Sequence, residues 1–418
     1  MPRGVYSSGF IKFFGVSRIY LYLTKGELSS HSRVILACNA WRMTKEKTIK
    51  QQVTKKRTSA MIAAAGLLSV CLSATEAVSA NASTVHHKKK VSSSKTTTKT
   101  TTKIANPIPL VVYSAQGYDK AETTAFSKKY HIPVSLDDNS TGPLLTQIEA
   151  SKNNPKWGLL WVDGSTAFAA LDRQGLLIHG FEPKVNFDSL GLASVPSDKS
   201  WVPTGVTLMA AMVYNKQKVT SPPTSWQQLL SAKWKGKVGM NDPSQSGPTY
   251  PFVAGMMNYL GSVAKGEKYF TSLKANGLVV NPTNGPTLTA LANGQIDVAL
   301  VQSSAGIGAA MSDKSFVVKY LNPVTLLPSC IGIDKKAPKK EQEEAKLFAE
   351  YVLSQAGQKV MQHGDPTGDS LYYPVVQGVN PLPNLPKLGG VKTQSINPYT
   401  WGPLESSVNS WFTAHIVQ

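Results

Sequence analysis

From Leu110 onward, short apolar runs alternate with longer stretches of helical spacing, and few folds accommodate that order. A strand over Leu110-Val111-Val112-Tyr113 is followed by a helix around Ala121–Tyr130. Ile132–Leu136 and Pro143–Lys152 repeat the pair, as do Trp157–Val162 and Thr166–Gln174. Val206–Tyr214 is a long apolar run suited to a strand. A short amphipathic helix in 224–234 then leads to a strand at Lys237–Met240, and a second helix opens through Ser246-Gly247-Pro248. A helix at Lys265–Asn276, the unit Thr287–Asn293 with Ile296–Val301, strands at Ser315–Leu321 and Cys330–Ile333, and a long helix at Lys340–Ser354 complete the order. Strands alternating with helices predict an α/β fold with a largely parallel sheet. The Pro-, Gly- and Asn-rich tail, Asn380–Tyr399, is expected to wrap over a lobe.

Charge divides the chain sharply. The formal net charge of +19 would suit nucleic acid or an anionic surface if it were spread evenly. Residues 1–107 instead hold 18 Lys+Arg against 3 Asp+Glu, and residues 108–418 hold 26 against 22. Arg173 is the single arginine of that second part. A nucleic-acid-binding function for the globular region is excluded on this ground.

The basic excess belongs to address and tether. Lys45, Lys47, Lys50, Lys55, Lys56 and Arg57 precede an uncharged run from Ser59 to Ala74, and Ala77-Val78-Ser79-Ala80-Asn81-Ala82 offers a small-residue cleavage site. That order defines a secretory signal over 43–80, cut after Ala80 or Ala82. Met43 stands at the usual distance, so residues 1–42 are expected to be an over-extended start. Leu68-Ser69-Val70-Cys71 resembles a lipoprotein box, but valine before the cysteine fits it poorly, and a lipid anchor at Cys71 is not expected. Residues 81–107 are Ser, Thr, Lys and His with little to bury, and predict a disordered basic tether. His86-His87 lies in it without a nearby third metal ligand. Cys330, in an apolar run, reads as a buried structural thiol.

Small hydroxyl residues and glycine recur where predicted strands end. Ser114-Ala115-Gln116-Gly117 follows the first strand and Asp163-Gly164-Ser165-Thr166 the third. Ser140-Thr141-Gly142-Pro143 and Ser246-Gly247-Pro248-Thr249 open helices, and Gln302-Ser303-Ser304-Ala305-Gly306 follows Ile296–Val301. Ligands of open α/β sheets bind beyond the carboxyl ends of strands. Proline suits the first helical position, and the free N–H groups of a helix start attract anions. Ser114, Ala115, Thr141, Gly142, Asp163, Ser165, Ser246, Gly247, Thr249, Gln302 and Ser303 are therefore the candidate ligand-binding residues. Taken singly, each hydroxyl is also an ordinary N-cap. Asp119, Asp138 and Asp163 are candidate partners for an amine, and Tyr113, Trp161 and Tyr250 for packing on a solute.

Several stretches together resemble the solute-binding proteins of ABC importers, in the iron(III)/phosphonate/spermidine-type branch. They include Val112-Tyr113-Ser114-Ala115, Val213-Tyr214-Asn215, Pro223-Thr224-Ser225-Trp226, Trp234-Lys235-Gly236-Lys237-Val238 and Asp242-Pro243 with Ser246-Gly247. Ala292-Asn293-Gly294-Gln295-Ile296-Asp297, Ala345-Lys346-Leu347-Phe348, Ser354-Gln355-Ala356-Gly357-Gln358 and Tyr373-Pro374-Val375 follow in the family's order. The resemblance implies a two-lobed periplasmic-binding-protein-like fold (type II), with a ligand cleft between lobes joined by two crossing segments. Lobe one is then expected over 108–205, lobe two over 206–324, and the return to lobe one with the C-terminal tail over 325–418. It implies a monomeric periplasmic receptor, without cofactor, that hands a small solute to an ABC permease in the inner membrane.

With two hydroxyl-Gly-Pro helix starts, one per lobe, an anionic or zwitterionic solute is favoured, a phosphonate or phosphate ester first. A ferric-ion receptor is the alternative. Ferric binders of the family use adjacent tyrosines after the strand matching Ile296–Val301, where this chain has Gln302-Ser303-Ser304; its Tyr372-Tyr373 pair lies elsewhere. A surface scaffold or adhesion role through the basic tether is a further alternative. Catalysis is not expected: the chain has no Gly-x-Ser-x-Gly elbow, His-Glu-x-x-His or P-loop, and its histidines are scattered.

Overall fold

A computed structural model describes residues 104–365 and 369–418. The expected leader, the Cys71 box and the tether as far as residue 103 lie outside the described residues.

Three strand–helix pairs open the domain: β1 (Leu110–Ser114) with α1 (Asp119–Tyr130), β2 (Val134–Asp138) with α2 (Thr141–Ser151), and β3 (Leu159–Asp163) with α3 (Ser165–Arg173). A short α4 (Ser189–Ser194) precedes the long β4 (Trp201–Asn215). Next come β5 (Val238–Asn241), α5 (Thr249–Leu260), α6 (Val263–Ala275), β6 (Val279–Asn281), α7 (Asn284–Ala292), β7 (Val298–Val301), α8 (Ser303–Ser312) and the long β8 (Phe316–Ile333). The chain closes with α9 (Lys339–Val352), α10 (Gln355–His363), β9 (Thr393–Gln394), α11 (Pro398–Trp401) and α12 (Glu405–Phe412).

The strands form one sheet in the order β2-β1-β3-β8-β4-β7-β5-β6, with β9 added beside β8. β1 pairs in parallel with β2 and β3, and β5 in parallel with β6 and β7. The centre is different. β4 and β8 run antiparallel to each other over most of their length, Trp201 opposite Gly332 at one end and Asn215 opposite Phe316 at the other. β3 joins the Ser329–Ile333 end of that ribbon, and β7 joins β4 at Ala211–Tyr214. The ribbon is thus shared by two lobes, and the expected parallel sheet is a mixed one because both crossing strands enter it antiparallel.

Each lobe is covered on both faces, so its strands are apolar at successive positions. On β3, Leu159 and Trp161 face a core with Phe126 of α1 and Phe348 of α9, whereas Leu160 and Val162 face Leu144 and Ile148 of α2 and Phe168 of α3. On β7, Val298 and Leu300 join Phe252 and Phe270 of α5 and α6, and Ala299 and Val301 join Leu291 of α7. Each such side chain, fully buried, contributes roughly 1.5–3 kcal/mol. Cys330, on β8, is fully buried as expected.

Two expectations need correction. The helix expected in 224–234 is a pair of 3-10 turns, Trp226–Leu230 and Ala232–Trp234, pinned by Trp226 and Trp234 in the core. The C-terminal residues do not stay with lobe one. α11 packs on α3, and Trp401, Val408, Phe412 and Ile416 then enter the lobe-two core, with the Phe412 and Phe270 ring centroids 5.4 Å apart. A large buried ring decides that placement, since its apolar surface gains more in lobe two than tail composition reveals.

Candidate ligand-binding site

A cavity of about 400 Å³ opens between the lobes. It lies beyond the carboxyl ends of β1, β2 and β3 and against the starts of α2, α5, α7 and α8. Ser140, Pro248, Thr283 and Gln302, the caps of those four helices, all line it. Four helix N-termini therefore converge on one space, each with a partial positive charge.

The floor is built around Asp163, which is 4% exposed at the end of β3. Its Oδ1 accepts from Gln116 Nε2 at 3.2 Å, and its Oδ2 accepts from Gln302 Nε2 at 3.0 Å and from the Tyr372 hydroxyl at 2.8 Å. Gln302 also donates to the Tyr372 oxygen at 2.8 Å. Burial pushes the Asp163 carboxyl up to about 6, while the hydrogen bonds from Tyr372, Gln116 and Gln302 pull it back. Asp369 accepts from Ser304 Oγ at 2.9 Å, and burial pushes it up to about 7. Asn284 Oδ1 is held by Asn241 Nδ2 at 2.7 Å and by the Gln302 N–H at 3.3 Å, which fixes the amide at the start of α7.

Charge is distributed unevenly. Asp138, Asp163 and Asp369 line the lobe-one side, and the lobe-two wall, from Gln245 to Pro248, from Thr283 to Gly285 and at Gln302, carries no ionisable side chain. Among the described residues no lysine or arginine lines the cavity, and Arg173 instead donates to the Tyr399 carbonyl at 2.8 Å. Thr141 Oγ1 and Gln116 Oε1 are buried and meet no protein partner among the described residues. Buried polar atoms of this kind are rare in folded proteins, and at a cavity wall they await a ligand or water.

Of the residues singled out from sequence, Ala115, Asp138, Thr141, Asp163, Ser246, Gly247 and Gln302 line the cavity. The others do not. Ser114 is fully buried and its Oγ accepts from the Gln116 N–H at 3.2 Å. The Gly142 N–H points across the cleft to the Gln245 carbonyl at 3.4 Å. Ser165 is half-buried, and Thr249 is fully buried. Ser303 Oγ accepts from the Leu208 N–H at 3.0 Å, tying α8 to β4. Asp119 is buried and does not line the cavity, Tyr113, Trp161 and Tyr250 are core residues, and among the described residues no aromatic ring lines the cavity. Sequence reasoning passed over Asn284 and Gly285, although Asn284-Gly285-Pro286 repeats the pattern of Thr141-Gly142-Pro143 with an amide in place of a hydroxyl. Asp369 had no local signal.

Two lobes on a shared β4–β8 ribbon, with a polar cleft fed by helix N-termini, have the fold of type II periplasmic binding proteins. Residues 123–392 match the family model of bacterial extracellular solute-binding proteins, and the chain belongs to that family. A Salmonella paratyphi A protein, provisionally named as a 2-aminoethylphosphonate-binding periplasmic protein, is 24% identical over 265 residues, covering 60% of this chain and 75% of its own. Among solved structures, AfuA from Actinobacillus pleuropneumoniae with fructose-6-phosphate bound has a TM-score of 0.66 at 19% identity, covering 74% of this chain and 98% of its own. Iron-bound HitA from Pseudomonas aeruginosa has a TM-score of 0.62 at 22% identity, covering 74% and 99%. Family and neighbours are solute receptors, not enzymes. Among the described residues no helix is long and apolar enough to cross a membrane.

Proposed function

We propose that this chain is a periplasmic receptor that delivers a small zwitterionic phosphonate or phosphate ester to an ABC permease. The observation that carries the reading is the division of the cavity wall. The uncharged lobe-two wall, with the starts of α5, α7 and α8, suits an oxyanion bound by N–H, hydroxyl and amide donors. Asp138, Asp163 and Asp369 on lobe one suit an ammonium group at the other end of the same solute. The name of the Salmonella relative, which pairs a phosphonate with an amine, supports the same chemistry. An anion without an amine would leave three carboxylates facing its charge.

The ferric alternative has less support. Burial among Asp163, Asp369 and Tyr118 pushes the Tyr372 phenol well up, and its hydroxyl already donates to Asp163. A phenol so placed resists the ionisation that iron ligation requires. The test is thermal unfolding of the full chain with 2-aminoethylphosphonate, methylphosphonate, inorganic phosphate or ferric citrate. A probe at 100 times its dissociation constant stabilises by about 2.7 kcal/mol, a shift of several degrees. A shift with 2-aminoethylphosphonate exceeding that with methylphosphonate supports the reading. A shift with ferric citrate alone, with tyrosinate-to-iron colour, overturns it.

A further inference from the structure

Away from the cleft, four chain segments bring metal-ligating side chains together on lobe one. Asp172 comes from the last turn of α3, His179 from the loop after it, Asp198 from the turn before β4, and Tyr399 from α11. His179 Nε2 lies 2.6 Å from Asp172 Oδ1 and 4.0 Å from Asp198 Oδ2, and one ligand atom from each of the three residues falls within 4.8 Å of the others. The Tyr399 hydroxyl lies 3.0 Å from Asp198 Oδ2 and 3.3 Å from Asp172 Oδ2. That hydroxyl has one proton for two carboxylates, so one of them is always left without it.

We infer that Asp172, His179 and Asp198 form a binding site for a divalent transition-metal ion of the zinc type. One imidazole nitrogen and two carboxylate oxygens are a donor set that Zn²⁺ accepts, with water or the Tyr399 oxygen completing a tetrahedron. Metal–ligand bonds of about 2.0–2.2 Å place tetrahedral ligands roughly 3.3–3.5 Å apart. The side chain of Asp172 is 9% exposed and anchored in the fold, whereas His179 is 53% exposed and leaves the site open to entry. The nearby cations do not fill it: Arg173 is engaged by the Tyr399 carbonyl and Lys199 by Glu182. A bound ion would join the start of the C-terminal segment to lobe one, since Tyr399 immediately precedes the residues that enter lobe two.

The site is separate from the solute cavity, and its test does not depend on the solute. Because His86-His87 also offers imidazoles, metal-stripped full chain carrying His86→Ala and His87→Ala is titrated calorimetrically with ZnCl₂. One Zn²⁺ per chain is expected. Adding His179→Ala should weaken binding by at least about tenfold, and Asp198→Asn should weaken it in the same direction, while the unfolding temperature in EDTA stays that of the parent. Absence of Zn²⁺ binding in the parent, or unchanged stoichiometry and affinity in His179→Ala, overturns the inference and leaves a hydrogen-bonded network only.

Discussion

Replacing Gly142 with alanine should prop the cleft open, and the size of the effect follows from the contact it breaks. A Cβ on Gly142 would lie 2.0 Å from the Ser244 carbonyl oxygen and 3.0 Å from its carbon, both backbone atoms of the facing lobe. Ordinary contact begins near 3.4 Å, so the lips must part by about 1.4 Å at this point, and the bond from the Gly142 N–H to the Gln245 carbonyl is lost. Overpacking of this kind costs about 1–3 kcal/mol, and here the cost falls on the conformation in which the two lobes touch. Affinity for 2-aminoethylphosphonate should therefore drop by about 5- to 150-fold. The unliganded protein should not lose stability, because alanine is the better helix former and Gly142 lies in the first turn of α2. Calorimetric titration gives the affinity, and small-angle scattering with and without the probe gives the closure. Gly389→Ala, whose Cβ meets nothing within 4 Å, is the control. Binding within twofold of the parent, with the same ligand-induced compaction, would refute the idea that the glycine permits closure.

Protonation should tune the same site. With Asp163 near 6 and Asp369 near 7, lowering the pH from 8 to 5 neutralises the carboxylates and should weaken 2-aminoethylphosphonate binding by one to two orders of magnitude, with a smaller change for methylphosphonate. Equal pH profiles for the two probes would count against ammonium recognition by Asp163 and Asp369. Both carboxyls bind protons more readily folded than unfolded, so the unliganded protein should lose stability as pH rises from about 4 to 7, which thermal scans would register. Phe412→Ala empties a fully buried position and should cost about 3–5 kcal/mol by urea unfolding; a loss below 1 kcal/mol would mean that the C-terminal helix is an appendage. In native protein treated with iodoacetamide, the peptide carrying Cys330 should remain unmodified until denaturant is added, because burial pushes that thiol up and closes access.

How far local sequence reaches is clearest in the long strands. β3 was legible because helices cover both faces and every position before Asp163 is apolar. β4 read as beginning at Val206, five residues late, because Pro203 and Gly205 look like a loop; they sit at an irregularity where the pairing with β8 shifts register. β8 read as two pieces for a similar reason, with Pro323 and Pro328 inside a strand that continues through them. α8 went unread because Gly306 and Gly308 depress helical propensity, yet a Cβ on Gly306 would come within 2.8 Å of Val213. The glycine allows α8 to lie close on β4, a tertiary demand that no local pattern expresses. The C-terminal helices carried a readable signal, since Trp401, Val408, Phe412 and Ile416 recur at helical spacing, but which lobe receives them depends on the path of the whole chain.

The site was legible where one motif carried it. Four Gly-Pro pairs occur in the sequence, preceded by Thr141, Ser246, Asn284 and Trp401. The three that follow a polar residue open α2, α5 and α7 at the cleft; the fourth, after tryptophan, lies against α3, where a Cβ on Gly402 would meet the Thr166 carbonyl at 2.5 Å. Their glycines do different work. Gly142 and Gly247 meet the opposite lobe, at the Ser244 carbonyl and the Thr141 side chain, whereas Gly285 has nothing within 4 Å and faces the cavity. Two of the three motifs thus let the lobes touch, and the third leaves room beside a helix start for a ligand. Asp369 is illegible by contrast because it reaches the cavity only after α10, to meet Ser304 at the start of α8. The uncharged half of the cleft is therefore written in local motifs, and the acidic half depends partly on a carboxylate that only the completed fold delivers.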